Sequence, residues 1–266
     1  MSEAIVITSG KGGVGKTTTT ANLGTALALM DKKVCLMDTD IGLRNLDVVM
    51  GLENRIIYDI IDVAQGRCKL KQALIKDKRF DYLFLLPAAQ TSDKHDLSPE
   101  AMIEMVNELK QEFDYILIDC PAGIEQGYKN AVAGADHAIV VTTPEKSSVR
   151  DADRIIGLLE QEEITSPKLI INRIRNHMME SGDMMTIDEI IQVLSIDLLG
   201  IVQDDDEVIK ASNHGEPVAL NPNIKSSISY RNIARRILGE SVPLQSFDQE
   251  QTFMTKVKKF FGMREK

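Results

Sequence analysis

The residues best placed to do chemistry form one short run, Gly10-Lys11-Gly12-Gly13-Val14-Gly15-Lys16-Thr17-Thr18. With Gly10 and Gly15 as outer glycines it fits the spacing GxxxxGK[ST], a loop whose backbone N–H groups curl around phosphate oxygens. A helix opening near Lys16 adds the positive end of its dipole. Lys16 is then placed to reach the β- and γ-phosphates, and the Thr17 hydroxyl to ligate Mg²⁺. Three carboxylates stand where they can complete such a site. Asp119 closes the apolar run Tyr115–Ile118, a position from which a carboxylate holds the Mg²⁺ shell. Asp38 and Asp40 follow the run Val34–Met37, and two acids beside a triphosphate repel it unless a cation or water lies between. Asp40 is a candidate to position the attacking water or to act as its base, and Asp38 is a candidate outer magnesium group. The plainer reading of both acids, as turn or cap residues after a strand, stands beside this one.

Gly10, Gly12 and Gly15 also spell GxGxxG, the dinucleotide fingerprint, with Asp38 available for a ribose. The remainder of the constellation decides against it, because a dinucleotide loop has no use for Lys16-Thr17 or for a carboxylate at Asp119. Lys11 is the second informative residue. The phosphates already have Lys16, and a lysine five positions earlier lies on the outer limb of the loop, awkwardly placed for the same γ-phosphate. It is either a solvated loop lysine or a cation aimed at a neighbouring subunit's nucleotide.

These residues need strands to carry them, and the sequence supplies short continuous apolar runs. They are Ala4–Thr8, Val34–Met37, Tyr82–Leu86, Tyr115–Ile118, Ala138–Val141, Leu169–Ile171 and Leu198–Val202. Continuous rather than alternating runs indicate parallel strands covered on both faces. Helical spacing between them, as in Leu23, Leu27 and Met30 or Ile155, Ile156 and Leu159, predicts an α/β doubly wound, mostly parallel sheet. Such sheets bind ligands at the carboxyl ends of their strands, where the motif residues fall. The 266 residues suffice for one large domain, predicted over 1–239, where a helix carrying Ile228, Ile233 and Ile237 stops near Gly239. No apolar leader and no membrane-spanning run are evident, so a cytosolic protein is expected. Cys35, Cys68 and Cys120 are far apart and read as buried free thiols, and the four histidines receive no metal or catalytic role.

The run from Lys11 to Thr18 resembles the deviant Walker A signature of the MinD, ParA and nitrogenase iron-protein group. The chain is identified as a member of that MinD/ParA family, on its septum-placing side. The resemblance implies that Lys11 crosses an ATP-dependent homodimer interface, adding positive charge at the neighbour's transition state as an arginine finger does. Asp40-Ile41-Gly42-Leu43-Arg44-Asn45 is similar to the family's switch I, and Asp119-Cys120-Pro121-Ala122-Gly123-Ile124-Glu125 to its switch II. By the same resemblance Asn172 and Arg173, expected just after the Leu169 strand, flank the adenine together with Gln203 and Asp204, although the Gln203 segment lacks the family's proline. Asn172 would pair with the base edge and Arg173 cover its face. Ser148, Arg150 and Asp151 resemble the start of a partner-docking helix.

The formal charge of −9 is uneven: Lys256, Lys258, Lys259, Arg264 and Lys266 against Glu265 make the tail +4, leaving −13 on the rest. After a linker over 240–250, the segment 251–266 places Phe253, Met254, Val257, Phe260 and Phe261 on one helical side, with Lys256, Lys258 and Lys259 flanking or opposite. That pattern suits an amphipathic helix lying in an anionic phospholipid surface, at about 1.5 to 3 kcal/mol per large apolar side chain and about 1 kcal/mol per lysine. A terminal helix packed on its own core is the plainer alternative. The expected activity is Mg²⁺-dependent ATP hydrolysis by a dimer that attaches to the cytoplasmic face of the membrane. Its expected partners are a division inhibitor of the MinC kind and a topological or activating factor. A ParA-like DNA-binding partition ATPase is the alternative, disfavoured by the −13 body. An iron-cluster reductase is disfavoured by cysteine placement, with Cys120 the one awkward residue.

Overall fold

In the computed structural model, residues 2–244 are described; the expected amphipathic helix over 251–266 and most of the 240–250 linker lie outside them. The strands are β1 (Glu3–Thr8), β2 (Val34–Asp38), β3 (Ile75–Lys76), β4 (Leu83–Leu86), β5 (Tyr115–Asp119), β6 (His137–Thr142), β7 (Lys168–Ile174) and β8 (Asp197–Gln203). The first six helices are α1 (Lys16–Ala28), α2 (Leu46–Met50), α3 (Ile60–Ala64), α4 (Leu70–Ala73), α5 (Pro99–Leu109) and α6 (Gln126–Ala133). They are followed by α7 (Lys146–Gln161), α8 (Asn176–Glu180), α9 (Ile187–Leu194), α10 (Asp206–Asn213) and α11 (Lys225–Ile237).

The strands form one sheet in the order β3-β4-β2-β5-β1-β6-β7-β8, parallel at every pairing except β3 with β4. All seven apolar runs read from the sequence are strands of this sheet. β3 is the addition, a two-residue antiparallel edge too short to leave an apolar pattern. Each central strand sends alternate side chains to opposite faces, which is why its apolar run is continuous. Ala4 and Val6 enter one core and Ile5 and Ile7 the other; Cys35 and Met37 part from Val34 and Leu36 in the same way. One core lies under α3 to α7 and α9, the other under α1, α2 and α11.

β1 is the pivot: the chain leaves it for β2 on one side and later returns through β6 to β8 on the other. Loops on either side of such a reversal part, and the crevice lies at the strand carboxyl ends. α1 springs from this crevice and is buried nearly all round, with Leu23 and Leu27 fully covered; Met30 falls just past its end. Its buried polar residues have assigned work. Asn22 donates from Nδ2 to Thr18 O at 2.8 Å and accepts from the Ala219 backbone N–H at 2.8 Å. That pair fastens the turn Val218–Leu220 to α1. Cys35 and Cys120 are buried free thiols as expected, whereas Cys68 is half-buried. Among the described residues no helix is long and apolar enough to cross a membrane.

Removing Asn22 leaves the Ala219 N–H buried without an acceptor, so Asn22→Ala is expected to cost about 1 to 3 kcal/mol. In a domain of this size that is a fall of several degrees in thermal midpoint, about 2 to 4 °C per kcal/mol, read by circular dichroism.

Candidate functional site

The loop between β1 and α1 is shaped by its glycines. Gly13 (φ +79°) and Gly15 (φ +99°) occupy the left-handed region, which opens the backbone N–H groups toward the crevice. Gly15 is also the N-cap of α1 and supplies no side-chain cap, so the helix's first N–H groups remain available to an anion. Gly10 is required for a different reason: a Cβ there would sit 2.1 Å from the Asp151 carbonyl oxygen, so β1's exit packs directly on the α7 backbone.

The two lysines of the loop point in different directions. Lys16 is buried, and its Nζ donates to Ser9 Oγ at 3.0 Å. Ser9 in turn donates its proton to Lys11 O at 2.7 Å, which leaves its lone pairs facing Lys16. Lys11 extends outward along the rim, its Nζ 3.4 Å from Ser147 Oγ and 3.7 Å from Glu145 Oε2 at the start of α7. It is exposed, and it does not share Lys16's interior position.

Asp38 and Asp119 end neighbouring strands in direct register and are both buried. Burial, then the charge of Asp119, pushes the Asp38 carboxyl up to about 8. Burial also raises Asp119, to about 6, against the opposing pull of a Thr17 hydrogen bond, the Lys16 charge and Thr20. Thr20 Oγ1 lies 3.2 Å from Asp119 Oδ1 and 3.1 Å from Lys16 O, able to donate to one at a time. Asp38 shapes the loop that follows it: Oδ1 accepts from Asp40 N at 2.9 Å and Oδ2 from Leu46 N at 3.1 Å. Thr39 donates to Asp119 O at 2.6 Å, tying the ends of β2 and β5 together. Two buried acids with Thr17 beside them could hold a hard cation, were phosphate and water to supply its other ligands. Among the described residues no group of three or more His, Cys, Asp or Glu could hold a metal unaided. The residues thus fit Mg²⁺ bound together with nucleotide, and Asp40 stands on the loop that Asp38 holds, half-buried at the edge of this centre.

Beside the loop a cavity of about 220 Å³ is lined by Gly15, Thr18, Asn172, Arg173, Gln203 and Asp204, with Val208, Ile209 and Tyr230 among its other walls. Asn172 and Arg173 were expected just beyond their strand; they lie within β7, which bulges there and carries Arg173 at φ +58°. Buried Asn172 donates from Nδ2 to Val14 O at 2.8 Å and accepts from Arg173 N at 2.9 Å, so it braces the phosphate loop as well as lining the cavity. A Cβ on Gly15 would come within 2.4 Å of that Nδ2. Asp204 is paired with Arg175 at 2.6 Å across the cavity mouth. Asp205 caps α10 through Glu207 N at 3.0 Å and accepts from Ser226 Oγ at 2.8 Å, joining the cavity wall to α11.

Of the expected docking residues, Arg150 is exposed and Asp151 half-buried, but Ser148 is buried. Its hydroxyl lies 2.9 Å from Thr142 Oγ1 and accepts from Thr143 N at 3.2 Å, securing the turn into α7. Its hydroxyl is thus engaged within the turn, while Arg150 faces outward. Ser9, Thr20 and Thr39 were not expected from the sequence. Ser and Thr near strand ends are common, and only the fold shows which of them meet.

A nucleotide-binding P-loop with a second, outward lysine, mounted at the switch point of a mostly parallel sheet, defines the class: a P-loop ATPase of the deviant Walker A kind. Residues 5–218 match the CobQ/CobB/MinD/ParA nucleotide binding domain. The chain belongs to this family and, within it, to the septum site-determining MinD proteins. It is 75% identical over 267 residues to the septum site-determining protein MinD of Bacillus subtilis, an alignment spanning 99% of this chain and all of that one. Among solved structures it is similar to the MinC:MinD cell division protein complex of Aquifex aeolicus, with TM-score 0.86 and 48% identity over 92% of this chain and 99% of that chain. It is also similar to MinD of Pyrococcus horikoshii complexed with Mg-ADP, with TM-score 0.82 and 30% identity over 91% of this chain and all of that one. The protein is thus a division-site ATPase.

The raised carboxyls set a pH dependence. Folded Asp38 and Asp119 hold protons that the unfolded chain, near its ordinary value of 3.8, has released. Their contribution to stability is therefore present below pH 4 and lost as pH rises toward 8. A bound cation takes the proton's place. Binding of Mg-ADP at pH 7 is expected to release protons, measured by titration calorimetry in buffers of different ionisation heat.

Proposed function

We propose that ATP joins two copies of this chain face to face, that the pair attaches to the cytoplasmic face of the membrane, and that hydrolysis releases it. The observation that carries this reading is the divergence of the two loop lysines, Lys16 turned into the phosphate crevice and Lys11 outward on its exposed rim. A cation turned away from its own phosphate crevice is free to serve a facing one, where it would add positive charge as the transition state spreads negative charge over the γ-phosphoryl oxygens.

Within one subunit the loop N–H groups and Lys16 grip the phosphates. Thr17 and Asp119 would hold Mg²⁺, with Asp38 behind them, and the ion would supply positive charge to the phosphates. Asp40 orients the attacking water and accepts its proton. The cavity walled by Asn172, Arg173, Gln203 and Asp204 takes the adenine. The 251–266 segment supplies the lipid contact. One copy binds weakly, while two copies on a dimer gain about 10² to 10⁴ through effective concentration, so membrane residence follows nucleotide state. The similarity to the MinC:MinD complex supports a division inhibitor of the MinC kind as the recruited partner, with Arg150 and Asp151 on its side of α7. A topological or activating factor would set where hydrolysis occurs.

Co-sedimentation with vesicles containing anionic phospholipid tests the scheme. ATP is expected to bring the intact protein down with lipid, whereas ADP, removal of residues from Phe253 onward, or Lys11→Ala leaves it in solution. Pelleting with plasmid DNA but not with lipid would overturn the membrane assignment in favour of a partition ATPase.

Asp40→Ala is expected to lower turnover by about 10²-fold, the contribution of a positioned base, while ATP still drives dimer formation on size exclusion. Undiminished phosphate release would remove Asp40 from the chemistry.

A further inference from the structure

Arg79 lies in the turn between β3 and β4, far in sequence from every motif residue, yet its guanidinium joins the end of α2 to the segment that follows α10. Nε lies 3.0 and 3.1 Å from the two carboxylate oxygens of Asp77, and Nη2 donates to Asp77 Oδ2 at 2.6 Å. Asp77 is itself buried, and its backbone N–H is held by Leu83 O at 2.9 Å, so the fork has a rigid base. The remaining donors reach two backbone carbonyls: Nη2 to Met50 O at 2.6 Å and Nη1 to Gly215 O at 3.0 Å.

Those carbonyls belong to two segments that each lead back to the candidate site. Met50 ends α2, the five-residue helix whose first N–H, at Leu46, is held by Asp38. Gly215 follows α10, whose Val208 and Ile209 line the cavity beside the phosphate loop. The two chain segments also touch without side chains between them. Gly51 and Gly215 both take φ +66°; a Cβ on Gly51 would lie 2.7 Å from Gly215 O, and one on Gly215 would lie 2.5 Å from Gly51 Cα. A contact that close transmits displacement, because neither backbone has room to yield.

We propose that Arg79 is a positioning residue that couples the base cavity to the loop carrying Asp40: a base seated against α10 fixes Gly215, Arg79 carries that constraint to Met50, and α2 presents residues 39–46 to the phosphate centre. This rests on reading the cavity as the adenine site. Lysine cannot replace arginine here, since one ammonium cannot grip a carboxylate and span two carbonyls in one plane.

Amide hydrogen exchange separates the steps, comparing ADP with pyrophosphate, each with Mg²⁺, on the full-length protein. Peptides from α10 report whether a base occupies the cavity, and peptides over residues 46–52 report whether α2 responds. In the native protein ADP is expected to slow exchange in α2 at least about fivefold more than pyrophosphate does, the lower end of ordinary coupling between sites. In the neutral pair Asp77→Asn with Arg79→Gln, and in Arg79→Lys, which keeps a cation beside Asp77, that excess should vanish while α10 stays protected by ADP. A merely structural role would loosen α2 equally with both ligands and preserve the excess. An excess that survives in either folded variant overturns the coupling, as does a native α2 that cannot tell ADP from pyrophosphate. Absence of ADP protection in α10 would instead sink the adenine reading, and the coupling with it.

Discussion

Two carboxylates buried side by side at the ends of β2 and β5 are the constraint around which the site is organised. Asp38 and Asp119 are in register and nearly inaccessible to water, and neither is comfortable as an anion where it stands. Their surroundings answer that discomfort. Asp38 is stabilised by two backbone N–H groups of its own loop, and Asp119 by Thr17, Thr20 and the nearby charge of Lys16. A protein does not place two acids together in its interior for stability alone, since desolvation outweighs what neutral partners return. Their position makes sense as a seat for a cation that arrives with phosphate, and the loops anchored on them are the ones that should feel its arrival.

That anchoring explains how a small ligand could alter a large surface. The 39–46 loop hangs from Asp38 at both ends through Asp40 N and Leu46 N, and Thr39 ties it to β5. On the far side, Asn172 braces the phosphate loop from β7, and Asp205 joins the cavity wall to α11. The Thr39 and Asn172 straps join elements distant in sequence, 80 and 158 residues apart, so the strand ends around the crevice are tied to one another. Lys11 completes the picture as the member with no interior task, resting on Glu145 and Ser147 at the rim of the same crevice.

Two of the three cysteines serve the core. Burial raises the Cys35 thiol far above its ordinary range and pushes Cys120 up to about 12, with desolvation the largest cause in both. Cys35 and Cys120 both belong to the core on one face of the sheet, where they act as small apolar fillers.

By itself the sequence determined the sheet and the phosphate loop, because both are local signals. A strand buried on two faces must be apolar throughout, and a loop that wraps phosphate must spend its glycines at fixed spacing before Lys16-Thr17. The tertiary structure alone decided what depends on register and approach. It extended β7 through Asn172 and Arg173, because a bulge paired against β8 can absorb residues that read as a loop. It turned Ser148 inward, since the hydroxyl of Thr142 and the N–H of Thr143 waited at the end of β6. It also brought Arg79 to Met50 and Gly215, a meeting no spacing along the chain encodes, because hydrogen bonds between segments form only where folding sets the two carbonyls within one guanidinium's span.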